Sequence, residues 1–332
     1  MLGLGVLDQT PIRSGGTAID SINETLDLAV FAEELGYKRY WLAEHHGSDG
    51  LAGCAPEILI PKVAEATSQI RVGSGGIMLS HYSPLKIAET FSLLSTMHPG
   101  RIDLGLGRAP GGNPLTSMAM AYGSNIGVEY YPTKVVDLKS LLLGTRPANS
   151  AFSKLKIVPL SDQPPEIWLL GSSAESAKIA AELGLSFSFA HFINANEAEK
   201  NLGIYRSNFK SSEGNPSPFA NICISVIVAE TQEEANFHAL SRKLWRLQLS
   251  KGELGLYPSP EEALSYNYNE KDKQIVDSVG ISGLVGTPDI VKREIERIAH
   301  TCQVNEVMIL TITHDVNARA KSYELIRKAF SG

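Results

Sequence analysis

The sequence predicts an α/β fold, a parallel sheet closed into a (β/α)8 TIM barrel, in one domain spanning residues 1–332. Three observations point there. Short apolar segments alternate with helical ones from end to end, eight of them read as strands, and no composition break, internal repeat or low-complexity tract divides the chain. The competing fold, an open doubly wound sheet, lacks its dinucleotide fingerprint: Gly105-Leu-Gly107-Arg-Ala-Pro110 puts proline where the third glycine belongs.

Leu2–Leu7 is a small apolar run suited to a buried strand. Ser21-Ile-Asn-Glu24 has the capping-box pattern, with Ile22, Leu26, Ala29 and Val30 on one helical face behind it and Gly36 as the stop. Arg39–Ala43 is the second strand, and a helix follows over about 56–68 with Pro61 inside it. Arg71–Gly75 is the third strand, Ser83-Pro84 opens a helix to about Met97, and Ile102–Gly107 is the fourth strand. Periodicity then weakens over 108–128, a helix spans roughly 129–143, and 144–165 is rich in Pro, Ser and Asn. Alternation returns with strands at Ile167–Leu170, Phe187–Phe189 and Asn221–Ala229, and helices at about 173–183, 196–210 and 232–249. Residues 250–286 are irregular, either a mobile lid or a surface excursion. Thr287-Pro288 opens a helix with Val291, Ile295, Ile298 and Cys302 in one core stripe. Glu306–Ile312 is the eighth strand and 316–330 the last helix. The barrel therefore carries insertions after strands four and seven, at about 108–128, 144–165 and 250–286.

Thirty Lys+Arg against 36 Asp+Glu give a net charge of −6, and 43% of residues are hydrophobic, the profile of a soluble globular chain. There is no basic footprint for nucleic acid or an anionic membrane, and no apolar run long enough for a membrane span. The N-terminus lacks a basic region and a cleavage site, so no secretory leader is expected. Cys54, Cys223 and Cys302 lie far apart without metal-ligand spacing, which fits a reducing cytoplasm and no metal site.

In such a barrel the chemistry sits at the C-terminal ends of the strands. That rule selects Glu44-His45-His46, Ser74-Gly75-Gly76, Arg108 with the following Ala-Pro-Gly-Gly, and Gly171-Ser172-Ser173-Ala-Glu-Ser176. A histidine there can act as an acid, a base or a hydrogen-bond donor near neutral pH; two ordinary loop histidines are the plainer alternative. The serine turn leads into a helix N-terminus, whose free N–H groups and dipole attract an anion, and Ser172, Ser173 and Ser176 add hydroxyls. Ser172 with Glu175 also makes a capping box that needs no ligand. Arg108 offers a phosphate a bidentate partner, or forms a rim salt bridge. Gly75 and Gly76 allow close backbone approach to a flat group, or mark a strand bulge. Trp41, Trp168 and Trp245 read as packing residues.

Tyr40-Trp-Leu-Ala-Glu-His-His46, Ile70-Arg-Val-Gly-Ser-Gly-Gly76, Pro99-Gly-Arg-Ile-Asp-Leu-Gly-Leu-Gly-Arg108, Trp168-Leu-Leu-Gly-Ser-Ser173 and Val285-Gly-Thr-Pro288 together resemble the bacterial luciferase-like flavin monooxygenases, in order and over nearly the whole chain. The resemblance implies the same barrel, with reduced FMN (FMNH2) supplied by a separate flavin reductase. It implies transfer of one oxygen atom from O2 to a small organic substrate through a flavin peroxide. His45 matches the family's catalytic histidine, and Arg108, Ser172, Ser173 and Ser176 match its flavin-phosphate positions. Gly75–Gly76 matches a position beside the flavin ring where a non-prolyl cis peptide is frequent. Gly107 stands where bacterial luciferase has a cysteine, so the resemblance is to a non-luminescent member, expected to be a homodimer. The same scaffold also admits an F420-dependent hydride-transferring oxidoreductase or a non-catalytic flavin-binding protein.

Overall fold

The computed structural model describes residues 2–109, 112–122, 127–145, 152, 154–212, 214–253, 255–279 and 283–331. Pro110, Gly111 and the stretches 123–126, 146–151 and 280–282 of the expected insertions lie outside the described residues. The strands are β1 (Gly3–Asp8), β2 (Arg39–Leu42), β3 (Arg71–Met78), β4 (Ile102–Gly107), β5 (Glu166–Gly171), β6 (Ser186–Ala190), β7 (Ala220–Val228), β8 (Leu284–Gly286) and β9 (Glu306–Leu310). All pairings between them are parallel. The order β1-β2-β3-β4-β5-β6-β7-β9 returns to β1, so eight strands close a barrel as the sequence predicts. The short β8 pairs with β7 alone and stands outside the ring; nothing in its three residues signals a strand.

Around the barrel run α1 (Ala18–Glu34), α2 (Pro56–Ala66), α3 (Pro84–Met97), α4 (Pro114–Met120), α5 (Tyr131–Leu142), α6 (Ala174–Glu182), α7 (Ala198–Asn208), α8 (Gln232–Ser250), α9 (Pro260–Ser265), α10 (Glu270–Val279), α11 (Pro288–Cys302) and α12 (Val316–Ala329). The larger core lies between strands and helices, where Val6, Tyr40, Leu42, Val72 and Leu104 meet apolar helix faces such as the Val291, Ile295, Ile298 and Cys302 stripe. The smaller one fills the barrel with Leu7, Trp41, Trp168, Cys223 and Met308. Strand alternation divides β2 between them, since Tyr40 and Leu42 face the helices while Trp41 faces inward. The barrel interior is narrow at Gly105: a Cβ there would lie 2.2 Å from the Ser74 carbonyl oxygen, so only glycine fits. Among the described residues no helix is long and apolar enough to cross a membrane.

Charged side chains close the N-terminal end of the barrel beneath that apolar layer. Asp103, fully buried, accepts from Arg39 (2.7 Å), Arg71 (2.6 and 2.8 Å) and the Trp41 indole N–H (2.8 Å). Arg39 also donates to Glu166 (2.8 Å) and Glu306 (3.1 Å). At β1's other end Asp8 accepts from Arg319 (2.7 Å), Tyr40 (2.5 Å) and Thr25 (2.9 Å). Burial pushes its carboxyl up, but Arg319 and the hydroxyl of Tyr40 outweigh this and hold it below the ordinary value.

Three local expectations need correction. Helix α1 starts a turn earlier than the Ser21–Glu24 box implies, because Thr17 and Asp20 form the capping box. Ser21 instead donates to the Pro11 carbonyl (2.7 Å), and Glu24 pairs with Arg13 (2.5 Å). The stretch 250–286 is not structureless: α9 and α10 pack on α8 through a cluster of Leu244, Leu247 and Ala263 with Tyr266, Tyr268 and Ile275. Lys251 and Asp272 (2.6 Å) tie α10 to the end of α8. The third strand continues past Gly75 to Met78, with its register against β4 shifting between Ser74 and Ile77.

Candidate active site

The four strand ends singled out by sequence meet in one chamber at the C-terminal mouth of the barrel. Its volume is about 650 Å³, and His45, Gly75, Gly76, Arg108, Ser172, Ser173 and Ser176 all line it, a size within the usual range for small-molecule and cofactor sites. Leu7, Trp41 and Met308 are among the residues that supply apolar wall, so Trp41 is more than packing, whereas Trp168 is purely core. Burial pushes the Cys223 thiol well up, which leaves it an inert part of the same wall.

The Glu44-His45-His46 run divides into two unlike parts. Glu44 is spent on structure: it accepts from Tyr82 (2.6 Å) and the Met78 backbone N–H (2.9 Å), and it meets His46 Nε2 at 2.7 Å. His45 turns the other way. Its backbone N–H donates to the Gly53 carbonyl (2.8 Å), while its buried Nδ1 has no hydrogen-bond partner. Burial, helped by neighbouring His46, pushes its pKa down to about 4, so the ring is neutral at physiological pH.

The peptide between Gly75 and Gly76 is cis, as the resemblance implies. The bulge reading also holds here, for the register shift falls at these residues. Their lack of side chains is required by the protein itself: a Cβ on Gly75 would lie 2.5 Å from Leu7, and one on Gly76 would lie 2.7 Å from the Gly105 carbonyl oxygen. Gly107, by contrast, faces open space, with nothing closer than 3.8 Å to a Cβ.

At the chamber rim Arg108 pairs with Glu175 on the first turn of α6 (2.6 Å). The capping box at that helix is Ser173 with Ser176, one residue on from the expected Ser172–Glu175 pair. A serine at the third helical position can reach back to the cap as a glutamate does, and Glu175 is thereby freed for Arg108. Ser176 Oγ donates to the Ser173 carbonyl (2.8 Å), so it shapes the turn from within. The first N–H groups of the helix have no intrahelical acceptors and open toward the rim.

A second chamber, of about 480 Å³, adjoins the first, and His45, Gln9, Phe192 and Ile193 line both. Its far side comes from α8, where Arg242, Trp245, Arg246 and Leu249 form a stripe, with Ser225 against Arg242 and Tyr257 against Trp245. Trp245, which the sequence marks only as a packing residue, therefore lines a chamber, and the arginines beside it carry no reading from sequence. The stripe's spacing of i, i+3, i+4, i+7 on a helix already signals a single face, and arginines interleaved with Trp and Leu on it mark a wall both apolar and charged.

A family model described as Luciferase-like monooxygenase matches residues 2–304. N-acetyl-S-alkylcysteine monooxygenase of Bacillus subtilis (strain 168) is 39% identical over 331 residues, covering 99% of this chain and 98% of its own. A luciferase-like monooxygenase of Escherichia coli (strain K12) is 37% identical over 324 residues, covering 98% and 96%. Among solved structures, apo-MsnO8 aligns with a TM-score of 0.90 at 33% identity, over 100% of this chain and 99% of its own. The oxygenating constituent of 3,6-diketocamphane monooxygenase from Pseudomonas putida, solved with FMN, shares the fold at a TM-score of 0.71 and 19% identity, over 98% and 97%.

Proposed function

This chain belongs to the luciferase-like monooxygenase family, and from that premise we propose that it is the oxygenating half of a two-component system that uses reduced FMN from a separate flavin reductase. The observation that carries this reading is the convergence of Arg108, the α6 N-terminus, the Gly75–Gly76 peptide and an unpartnered, uncharged His45 on one chamber. The residues fit the cofactor. Arg108, Ser172, Ser173 and the free N–H groups of α6 would hold its phosphate, and Leu7, Trp41 and the Gly75–Gly76 backbone would lie along its ring. When bound, reduced flavin supplies the two electrons with which O2 gives one oxygen atom to substrate and the other to water.

The protein's part is binding, exclusion of water and placement of one proton. The apolar wall of the chamber keeps water from the reacting oxygen. His45, neutral and lining both chambers, is placed to hold a hydrogen bond toward the reactant where the two chambers meet. The neutral ring favours hydrogen bonding over full proton donation as its role.

Arg108 meets Glu175 through Nη1, and that exposed carboxylate competes with a phosphate for the guanidinium. Arg108→Ala is expected to weaken reduced-FMN binding about 10–100-fold, the loss of a charged hydrogen-bonding partner. Glu175→Gln, which frees Arg108, is expected to tighten it about 1.5–5-fold. Anaerobic titration of tryptophan fluorescence measures both, and an Arg108→Ala protein with unchanged affinity would remove the phosphate from this rim.

A further inference from the structure

Resting on the reading above, we infer that the second chamber binds a small organic carboxylate, with Arg242 as its anchor and the apolar body of the substrate lying between Arg242 and His45. Arg242 is buried (6% exposed) and lines this chamber. Its Nη1 donates to Ser225 Oγ (2.6 Å), whereas its Nε and Nη2 have no hydrogen-bond partner. Those two atoms share one edge of the guanidinium, the edge whose parallel N–H bonds match the two oxygens of a carboxylate. Leaving two charged donors enclosed and unpaired is costly, and a carboxylate entering from the chamber, met by a rotation of the side chain that uncovers this edge, would relieve that cost.

The surroundings set the ligand's charge. Arg246 and His46 also line the chamber, and among the described residues its wall contains no Asp or Glu. Burial and neighbouring Arg246 press the Arg242 pKa down to about 10, the direction expected of a guanidinium that lacks a counter-ion. A comparison is available within the molecule: buried Arg39 and Arg319 both meet carboxylates and shift up instead. Leu51, Trp245, Leu249, Leu310 and Ile312 supply the rest of the wall, which suits an aliphatic body better than a polar one. Because His45 lines both chambers, a molecule held at Arg242 reaches the reactive one without leaving the protein.

The test uses the full chain without flavin, so that its outcome is independent of the flavin reading. Hexanoate, hexanamide, hexane-1-sulfonate and hexyl phosphate are titrated by calorimetry. Hexanoate is expected to bind about 10–100-fold more tightly than the neutral hexanamide, and more tightly than the other two anions. Arg242→Gln is expected to erase the preference over the amide, and Arg242→Lys, which keeps the charge and loses the fork, to restore part of it. If the Gln variant does not fold, the wild-type series and the Lys variant decide. Equal binding of acid and amide by the wild type, a preference for sulfonate or phosphate, or a preference unchanged in the variants would each overturn the proposal.

Discussion

His45→Ala is expected to lower product formation about 10²–10⁴-fold while reduced flavin still binds, the range found when a positioned proton donor or acceptor is removed. The residue lines both chambers, and its buried Nδ1 has no hydrogen-bond partner in the protein. Flavin affinity should persist because the phosphate contacts proposed above lie at Arg108 and α6, which are other lining residues of the chamber. The pH profile gives an independent check. With a pKa near 4, His45 stays uncharged down to about pH 5, and protonation below that removes the neutral form. The rate should therefore show no limb from this histidine between about pH 5.5 and 8, and should fall only in more acid solution. A limb near pH 6.5 that vanishes in His45→Ala would reveal an ordinary solvated ring and contradict the assignment.

Asp103→Ala is expected to destabilise the fold by about 3–5 kcal/mol, the cost of removing one partner from a buried ion pair. Asp103 is fully buried and serves two arginines and an indole at once. Without it Arg39, itself 7% exposed, keeps Glu166 and Glu306, but the half of its guanidinium that faced Asp103 is left less compensated. The Trp41 indole N–H loses its acceptor, and Trp41 lines the first chamber, so the loss reaches the functional end of the barrel as well. Asp103→Asn keeps the acceptor oxygen and should cost less than the alanine. Denaturant unfolding of the three proteins measures the order; an alanine variant within about 1 kcal/mol of wild type would mean that solvent or a shifted Glu166 replaces the carboxylate.

Much of this architecture could be read from the chain because it is written in local signals. Each strand is a compact apolar run, and the site segments follow four of those runs directly, so the barrel rule alone places His45, Gly75, Gly76, Arg108 and Ser172–Ser176 at one mouth. The sequence places the α1 cap a turn late and the α6 cap one residue early because similar patterns recur. Thr17-x-x-Asp20 and Ser21-x-x-Glu24 are both admissible boxes, and the choice between them is made by tertiary packing, in which Ser21 is needed by Pro11 and Glu24 by Arg13. The helices α9 and α10 are short and contain few apolar residues, which pack against α8. The charge cluster of Arg39, Arg71, Asp103, Glu166 and Glu306 was invisible for a different reason. Its members are spread between positions 39 and 306, too far apart for sequence proximity to reveal, and only barrel closure brings β2 and β9 to the same side. Arg242 carried a readable helical stripe, but its lack of a partner is a fact of three dimensions.

We propose that the rim formed by Arg108 and the α6 N-terminus holds the phosphate of reduced FMN, and anaerobic competition among reduced FMN, reduced riboflavin and reduced F420 for the purified chain decides it. The expected result is reduced FMN bound about 10–100-fold more tightly than reduced riboflavin, which lacks the phosphate, with F420 weaker than FMN. Equal affinity for FMN and riboflavin, or preferential binding of F420, would contradict it.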